Sequence, residues 1–419
     1  LRARKGDDHP VSALAAITRR LVFRALEGLR GGTVVVRYPD GRGRRFGDGD
    51  GPAILVDVRR PDALWERLGR RTRVGLGEAY VAGDWDCDDL VGLFSLLGRS
   101  LEAASQTPLV RGVHRAQRLR PARSRRQSLE VARTNVPAPY DLGNDLFALM
   151  LDPTMTYSCA YWERPEMTLE EAQRAKHRRI CEKLRLGPED HVLEIGCGWG
   201  AFALQAAADT GCRVTGVTIS PSQAALARER VAAAGLAGRV TIVERDYRLV
   251  EGSFSRVASI EMFEAIGLAE YQTFFAALDR LLAPDGIAVV QTIGVPDARF
   301  ERYRRTPDWI ERYVFPGSLL PSLEAIVRAA ARTRLMVVGL EEIGIGYART
   351  LREWRENVTR AAGRLAELGY DERFRRSWTY YLAYCEAGFA IRVLRDMQLV
   401  LSRPGNDALP LHPELRVTY

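Results

Sequence analysis

Long apolar runs are missing: no stretch of the 419 residues approaches the roughly 18 that a membrane-spanning helix needs. The Arg-rich beginning also lacks the apolar core of a secretory signal. Cysteine and histidine are scarce, six and five respectively. Cys87, Cys159, Cys181, Cys197, Cys212 and Cys385 form no Cys-x-x-Cys pair, and no Cys/His cluster has zinc-ligand spacing. These absences exclude a helical membrane protein, a disulfide scaffold and a structural zinc module. They leave the expectation of a soluble, cytoplasmic protein with reduced thiols and no metal. Internal repeats and low-complexity tracts are lacking as well.

What is present is an ordinary globular balance, 46% hydrophobic and 27% charged, long enough for two or three domains. The net charge is +8, from 61 Lys+Arg that are nearly all arginine. The densest patch is Arg111, Arg115, Arg118, Arg120, Arg123, Arg125 and Arg126. Such charge favours a polyanion, either nucleic acid or an anionic lipid surface, and does not choose between them. It also suits a merely solvated linker.

Three regions are expected. Residues 1–105 read as a small α+β domain, with strands at Val34–Tyr38 and Ile54–Val58 and a Pro39-Asp40-Gly41 turn. The segments Gly75–Tyr80 and Gly83–Trp85 look like tight packing or turn sites. Residues 106–128 are a basic linker. From 129 to 419 strands and helices alternate. Strands are expected at His191–Ile195, Arg213–Thr218, Val240–Glu244, Arg256–Ile260 and Gly286–Ile293. Helices are expected at Ala201–Ala208, from Pro221 to about Gly235, and at Tyr271–Leu282. Ser220, Pro221 and Gln223 give one helix start a cap, a fixed first φ and a capping-box partner. Alternation of this kind implies a mostly parallel sheet with a ligand crevice at the strand carboxyl ends.

The sharpest local motif is Glu194-Ile195-Gly196-Cys197-Gly198-Trp199-Gly200, between a strand and a helix. Glycines there let the backbone approach a ligand with no Cβ in the way, and the helix start adds N–H donors. With Ala201 as the third small residue, a dinucleotide fingerprint stays open. The acidic Glu194 favours a cofactor that carries an amino-acid ammonium. The second strand ends in Val217-Thr218-Ile219-Ser220, without the usual acid for a ribose. Gln223 stands where it can take that role, the capping box, or both.

Further words follow in order: Tyr140–Phe147, Met155–Trp162, Val192–Gly200, Gly216–Ser220, Trp309–Gly317 and Tyr380-Tyr381-Leu382. Together they resemble the cyclopropane-fatty-acid synthase family, which includes the mycolic-acid cyclopropane synthases, over about residues 130–403. The N-terminal segment is similar to the extra domain of the members that act on phospholipids. The resemblance implies a class I S-adenosylmethionine methyltransferase, α/β with a Rossmann-like seven-stranded sheet and a small N-terminal α+β domain. It implies an acyl-chain-binding insertion around 295–385. Tyr157, Ser158, Gly196 and Gly198, with Glu194, would bind the methionine part of the cofactor, Thr218 and Gln223 the ribose, and Arg245 and Asp246 would border the adenine. A bicarbonate ion would act as general base, held by Cys159 (backbone), Glu264, Ile293 (backbone) and Tyr347. Gln291 stands where the family has a histidine ligand, Ala265 where it has His after Met-Phe-Glu, and Pro139 where His precedes Tyr-Asp-Leu. Ala265 and Gln291 resemble the branch of tuberculostearic-acid methyltransferases, which methylenate an oleoyl chain for a separate reductase.

The implied chemistry is demanding. An alkene is a weak nucleophile, so electrophile and alkene must be held in line. The carbocation left on the acyl chain needs a dry pocket and is steadied by aromatic faces such as Tyr313, Phe315 and Tyr347, although each also suits core packing. Proton loss from the new methyl closes a cyclopropane; a hydride shift first gives a methylene branch. The expected partners are an unsaturated phospholipid at the inner face of an anionic membrane and a reductase; a homo-oligomer is compatible. Nucleic-acid methylation is the rival from another class, but neither an Asp/Asn-Pro-Pro-aromatic word nor a Pro-Cys nucleophile occurs. A non-catalytic binding protein is a further alternative, opposed by the intact loop and Glu264.

Overall fold

Parallel strands require crossovers, and the chain supplies a helix for nearly every one. The computed structural model describes residues 12–49, 51, 53–105, 143–306 and 308–409. The arginine patch at 111–126 and the Tyr140-Asp141-Leu142 word lie outside these residues.

The first part holds α1 (Ala13–Leu26), β1 (Thr33–Arg37), β2 (Gly43–Gly47), β3 (Ile54–Val58), α2 (Pro61–Arg70), α3 (Thr72–Val81), β4 (Trp85–Cys87) and α4 (Leu90–Ser105). Its sheet runs β2-β1-β3-β4. The expected Pro39-Asp40-Gly41 turn closes the β1–β2 hairpin, with Gly41 at φ +80°. Gly75 and Gly77 are packing sites on α3 rather than turns. A Cβ at Gly75 would lie 2.2 Å from the Arg67 carbonyl oxygen, and one at Gly77 would lie 2.5 Å from the Trp309 ring.

The second part begins with α5 (Asn144–Met150) and α6 (Leu169–Leu184). Then come β5 (His191–Ile195), α7 (Ala201–Thr210), β6 (Arg213–Thr218), α8 (Pro221–Ala233), β7 (Val240–Glu244) and β8 (Phe254–Ile260). After β8 follow α9 (Tyr271–Leu281), β9 (Leu282–Gly294), α10 (Asp297–Tyr303), α11 (Trp309–Tyr313), α12 (Leu323–Ala330) and β10 (Met336–Glu342). The chain ends in α13 (Gly344–Arg360), α14 (Ala362–Glu367), α15 (Glu372–Ala390) and β11 (Arg395–Ser402). The seven-stranded sheet has the order β10-β11-β9-β8-β5-β6-β7. Strand β11 is antiparallel to both neighbours, and the pairings from β9 through β7 are parallel.

The order reverses at β5, which lies between β6 and β8. Connections leave the two strand ends in opposite directions there and open a crevice. Apolar side chains such as Val192, Leu193, Val257 and Val289 are wholly buried on the two faces. The same strands turn polar at their carboxyl ends, so the site sits where the core stops. Helix α15 joins the two parts. The Arg376 guanidinium donates to the Tyr80 and Trp85 carbonyl oxygens at 2.7 and 2.9 Å, and lies 4.1 Å from the Tyr80 ring centroid.

Candidate active site

The loop after β5 takes three left-handed glycines, Gly196, Gly198 and Gly200, at φ +82°, +51° and +80°. They serve different needs. A Cβ on Gly196 would lie 2.7 Å from Met262, so that glycine answers the protein's own packing as well as a ligand's approach. A Cβ on Gly198 would meet nothing within 4 Å, because it faces a cavity of about 590 Å³. Trp199 pins the loop by donating from Nε1 to Asn144 Oδ1 at 2.9 Å.

Around this loop the fold assembles most of the residues singled out from the sequence. Tyr157, Ser158, Glu194, Thr218, Gln223, Arg245, Asp246, Glu264, Ile293 and Tyr347 all line the cavity. Glu194 is buried, and one of its carboxylate oxygens has no hydrogen-bond partner. Burial pushes its pKa up to about 8, against the pull of the Lys176 ammonium. Ser220 caps α8 by accepting from the Gln223 N–H. The Gln223 side chain does not return to the cap as in a capping box; it accepts from Thr218 Oγ1 at 3.0 Å. That leaves its amide N–H₂ toward the cavity. Asp246 is committed elsewhere, held by the backbone N–H and guanidinium of Arg248.

On the other side of the crevice, the chain leaving β8 carries two glutamates. Glu264 accepts from Thr292 Oγ1 at 2.9 Å and from the Ile293 N–H at 3.4 Å. Burial, with the nearby Glu261 charge, pushes it up to about 8. Sequence reasoning missed Glu261, which accepts from the Cys159 N–H at 2.7 Å, Gln291 Nε2 at 2.8 Å and Tyr347 Oη at 2.6 Å. It also missed Lys176, wholly buried on α6, which donates to Ser158 Oγ, and Asp396 on β11, which accepts from Gln291 Nε2 at 2.9 Å. The available signal was the word Ile-Glu-Met-Phe-Glu at a strand's carboxyl end, where two acids stand three residues apart, Glu264 buried and Glu261 half-buried at the cavity wall.

A bicarbonate ion does not fit this arrangement. Its implied donors at Cys159, Tyr347 and position 291 are all engaged by the Glu261 carboxylate. S-adenosylmethionine does fit: the loop leaves open space beside Gly198, and the buried Glu194 carboxyl, with one oxygen unpartnered, belongs to the lining of the same cavity.

Beyond the carboxylates the cavity is walled by aromatics. Tyr347 and Phe389 lie 4.5 Å apart and Phe315 and Tyr381 5.7 Å between centroids, and Tyr157 is backed from within the core by the buried Trp354 at 5.1 Å. Tyr157 and Tyr381 share a 2.7 Å hydroxyl hydrogen bond. Tyr313 is not among them. It is 49% exposed and bonds Glu78 on α3, because its place at the end of the short α11 turns it outward.

The strand order and the glycine loop at the switch point define a class I S-adenosylmethionine-dependent methyltransferase. The family model of mycolic acid cyclopropane synthetase matches residues 127–399, and the chain belongs to that family. The tuberculostearic acid methyltransferase UfaA1 of Mycobacterium tuberculosis is 40% identical over 405 residues, covering 94% of this chain and 92% of its own. The cyclopropane-fatty-acyl-phospholipid synthase of Escherichia coli is 39% identical over 361 residues, covering 85% of this chain and 89% of its own. Among solved structures, the cyclopropane synthase MmaA2 of M. tuberculosis gives a TM-score of 0.60 at 31% identity, over 68% of this chain and 99% of that one. The mycolic acid cyclopropane synthase CmaA1, solved with SAH and CTAB, gives 0.60 at 32% identity, over 65% and 98%.

The two glycines predict a clean separation of fold from binding. Gly198→Asn places a side chain in open cavity, in a left-handed conformation that Asn tolerates. Unfolding free energy should change by no more than about 1 kcal/mol, while calorimetric affinity for S-adenosylmethionine falls at least tenfold. Wild-type affinity in that variant would remove the loop from the cofactor site.

Proposed function

We propose that this enzyme transfers the methyl group of S-adenosylmethionine to a double bond within an acyl chain of a membrane phospholipid, with a methylene-branched chain as a major product. The observation that carries this reading is one continuous cavity. It starts at Glu194 and the glycine loop, passes Glu261 and Glu264, and continues between Phe94 and Leu97 of α4, Tyr303 of α10 and Leu394. Most of its surface is apolar, as an alkyl chain requires and a nucleotide base does not. The similarity to UfaA1 and to the E. coli phospholipid synthase along nearly the whole chain supports the same substrate class. Ala265 and Gln291 support the branched product.

Each group has a part. When bound, S-adenosylmethionine supplies an electrophilic methyl. Glu194 pairs with its ammonium, the Tyr157, Ser158, Gly196 and Gly198 segment cradles its methionine portion, and Thr218 and Gln223 take the ribose. Arg245 and Asp246 border the adenine. Methyl transfer forms a carbon–carbon bond with the alkene electron pair and leaves a cation on the neighbouring acyl carbon. Tyr347, Phe389 and Tyr381 face that charge and exclude water, which would otherwise add to it. With bicarbonate's donors engaged, proton removal falls to a carboxylate of the chain.

Residues 1–105 serve as the lipid-associated domain, 106–128 as a basic linker, and 129–419 as the catalytic domain with an acyl-binding segment at about 295–385. Docking at the inner face of an anionic membrane has a structural basis in α1. Leu14, Ile17 and Leu21 lie on one face, with Ile17 and Leu21 55% and 64% exposed, and Arg20 and Arg24 flank them. Among the described residues no helix is long and apolar enough to cross a membrane, so α1 would lie along the surface. A separate reductase would complete a saturated branch.

Mass spectrometry of lipids from cells expressing the chain should show acyl groups heavier by one CH₂, the carbon labelled from methyl-labelled methionine. Unchanged lipids alongside methylated RNA would overturn the reading. Cyclopropane as the sole product would overturn only the branch.

Vesicle sedimentation tests the docking helix. Binding should favour anionic over neutral vesicles, weaken with salt, and drop when Ile17 and Leu21 are both changed to Asp. Equal binding of variant and wild type would clear α1 of this role.

Glu194 makes cofactor binding proton-linked. The free enzyme keeps a proton on Glu194 up to about 8, whereas the unfolded chain loses it near 4.5. Its contribution to stability is therefore full below 4.5 and is lost as pH rises toward 8. An ammonium beside it favours the ionised form, so binding near neutral pH should release a proton. Titration calorimetry in buffers of different ionisation enthalpy should find that release in the wild type and not in Glu194→Gln. Equal release from both proteins would place the ammonium elsewhere.

A further inference from the structure

Glu261 stands in an unusual place for a side chain of its kind. It follows the last residue of β8 with φ +50°, a left-handed conformation that costs an L-residue about 1–2 kcal/mol. Backbone strain of this sort persists only where the surroundings impose it. Here its own N–H donates to the Gln291 carbonyl oxygen at 2.8 Å. Its carboxylate, at the cavity wall, collects the three donors of Cys159, Gln291 and Tyr347 within 2.6–2.8 Å.

The polarity of this cradle is set from outside. Lys183, paired with Glu341, can only donate, and it donates to Gln398 Oε1. The Gln398 amide must then present its nitrogen to Gln291 Oε1, at 2.9 Å. That fixes the Gln291 amide with its N–H₂ toward Glu261 and Asp396. Gln291 and Gln398 are direct cross-strand partners in the β9–β11 ladder, so the relay is built into strand register. Burial raises the Glu261 pKa above the ordinary carboxylate range, and the Tyr347 and Cys159 donors and the buried Lys176 charge pull against it toward the ionised form. Asp396, pushed far above its ordinary range by burial and the two glutamates, stays protonated beside it.

We propose that Glu261 is the resident base of this enzyme, its carboxylate standing in the donor set where relatives of its family would hold a bicarbonate ion. Carboxylate and bicarbonate share the planar O–C–O unit that these donors recognise, and both cannot occupy it. Glu261 takes the proton from the acyl cation. After the hydride shift, the C–H pair of the added methyl becomes the exocyclic double bond and the proton moves to a Glu261 oxygen. Without the shift, the same pair closes the cyclopropane ring. Glu264, with fewer donors, is a neutral neighbour. Gln291 and Gln398 are positioning residues that aim the base.

The inference rests on the proposed methyl transfer, and the test separates the two. The full-length protein is assayed on unsaturated phospholipid vesicles, in buffer freed of carbon dioxide with carbonic anhydrase present and again with bicarbonate added. Wild-type turnover should be the same in both. Glu261→Gln should fold, bind S-adenosylmethionine with unchanged affinity, and lose about 100-fold or more in turnover with no rescue. Glu261→Gly relieves the left-handed strain and empties the cradle. It should be inactive in depleted buffer, recover on adding bicarbonate or formate, and broaden the carbon-13 resonance of labelled bicarbonate, which the wild type leaves sharp. An active wild type that depends on bicarbonate, or a Glu261→Gln enzyme near full turnover, overturns this assignment and leaves the methyl transfer standing. A wild type with no methyl transfer in either buffer fails the functional reading itself.

Discussion

A cation formed on an acyl chain makes two demands that oppose each other. It needs dry, apolar walls, and it needs a negative group close enough to take a proton. Burying a lone carboxylate costs on the order of several kcal/mol unless donors and an opposite charge come with it. This protein meets the demand by concentrating polarity at one end of a sheet whose other end is apolar throughout. Glu194, Glu261 and Asp396 lie within reach of the buried Lys176 charge and Glu264 lies beside Glu261, and the donors reach them mostly from backbone and from neutral side chains. Burial keeps Glu194, Glu264 and Asp396 protonated near neutral pH, so the charge held in this small volume is that of Glu261 opposite Lys176, and the cavity beyond it stays apolar.

The topology makes that concentration possible. Because β5 lies between β6 and β8, the glycine loop and the glutamate segment leave adjacent strand ends and diverge. Strand β11, inserted antiparallel between β9 and β10, brings Asp396 and Gln398 alongside Ile293 and Gln291. No parallel strand entered from the same end would deliver residues from its amino end to that place. Lys183 on α6 then orders the two glutamines from the opposite side. The chain holds only three lysines among its many arginines, and two of them, Lys176 and Lys183, lie buried on this one helix. An ammonium fits a narrow buried site where a planar guanidinium would need more partners.

Local features were legible in the sequence where local physics decides them. The strand bounds His191–Ile195, Arg213–Thr218 and Val240–Glu244 coincide with the observed ones, as does the Ser220 cap. Short apolar words flanked by turn residues and helix caps admit little else. The glycine loop was legible too, though not the division of labour between Gly196 and Gly198, which depends on Met262 from another strand end. Glu261 was not legible. An acid after an apolar strand is ordinary until three donors, 102, 30 and 86 residues away, close on it. Nothing local marks Lys176, because a lysine on a helix rich in charged residues gives no sign of its burial. Tyr313 misled because an aromatic in a matching word says nothing of which way a five-residue helix faces.

The tunnel also explains why the first part packs where it does. Helix α4 contributes Phe94 and Leu97 to the cavity wall, and Phe94 meets Tyr380 of α15 edge-on with centroids 5.1 Å apart. Tyr380 in turn contacts Tyr80 and Trp309, whose ring lies against Gly77. A larger residue at 77 would lift α3 from Trp309, and the displacement would pass along these rings to the wall. Arg376 holds the same junction by donating to the Tyr80 and Trp85 carbonyls and to the Asp86 carboxylate, with its guanidinium over the Tyr80 ring. The cavity wall and the inter-part interface are therefore one packed surface. Length and shape selectivity for the acyl chain should accordingly be set partly by residues before 105, far in sequence from the carboxylates that carry the chemistry.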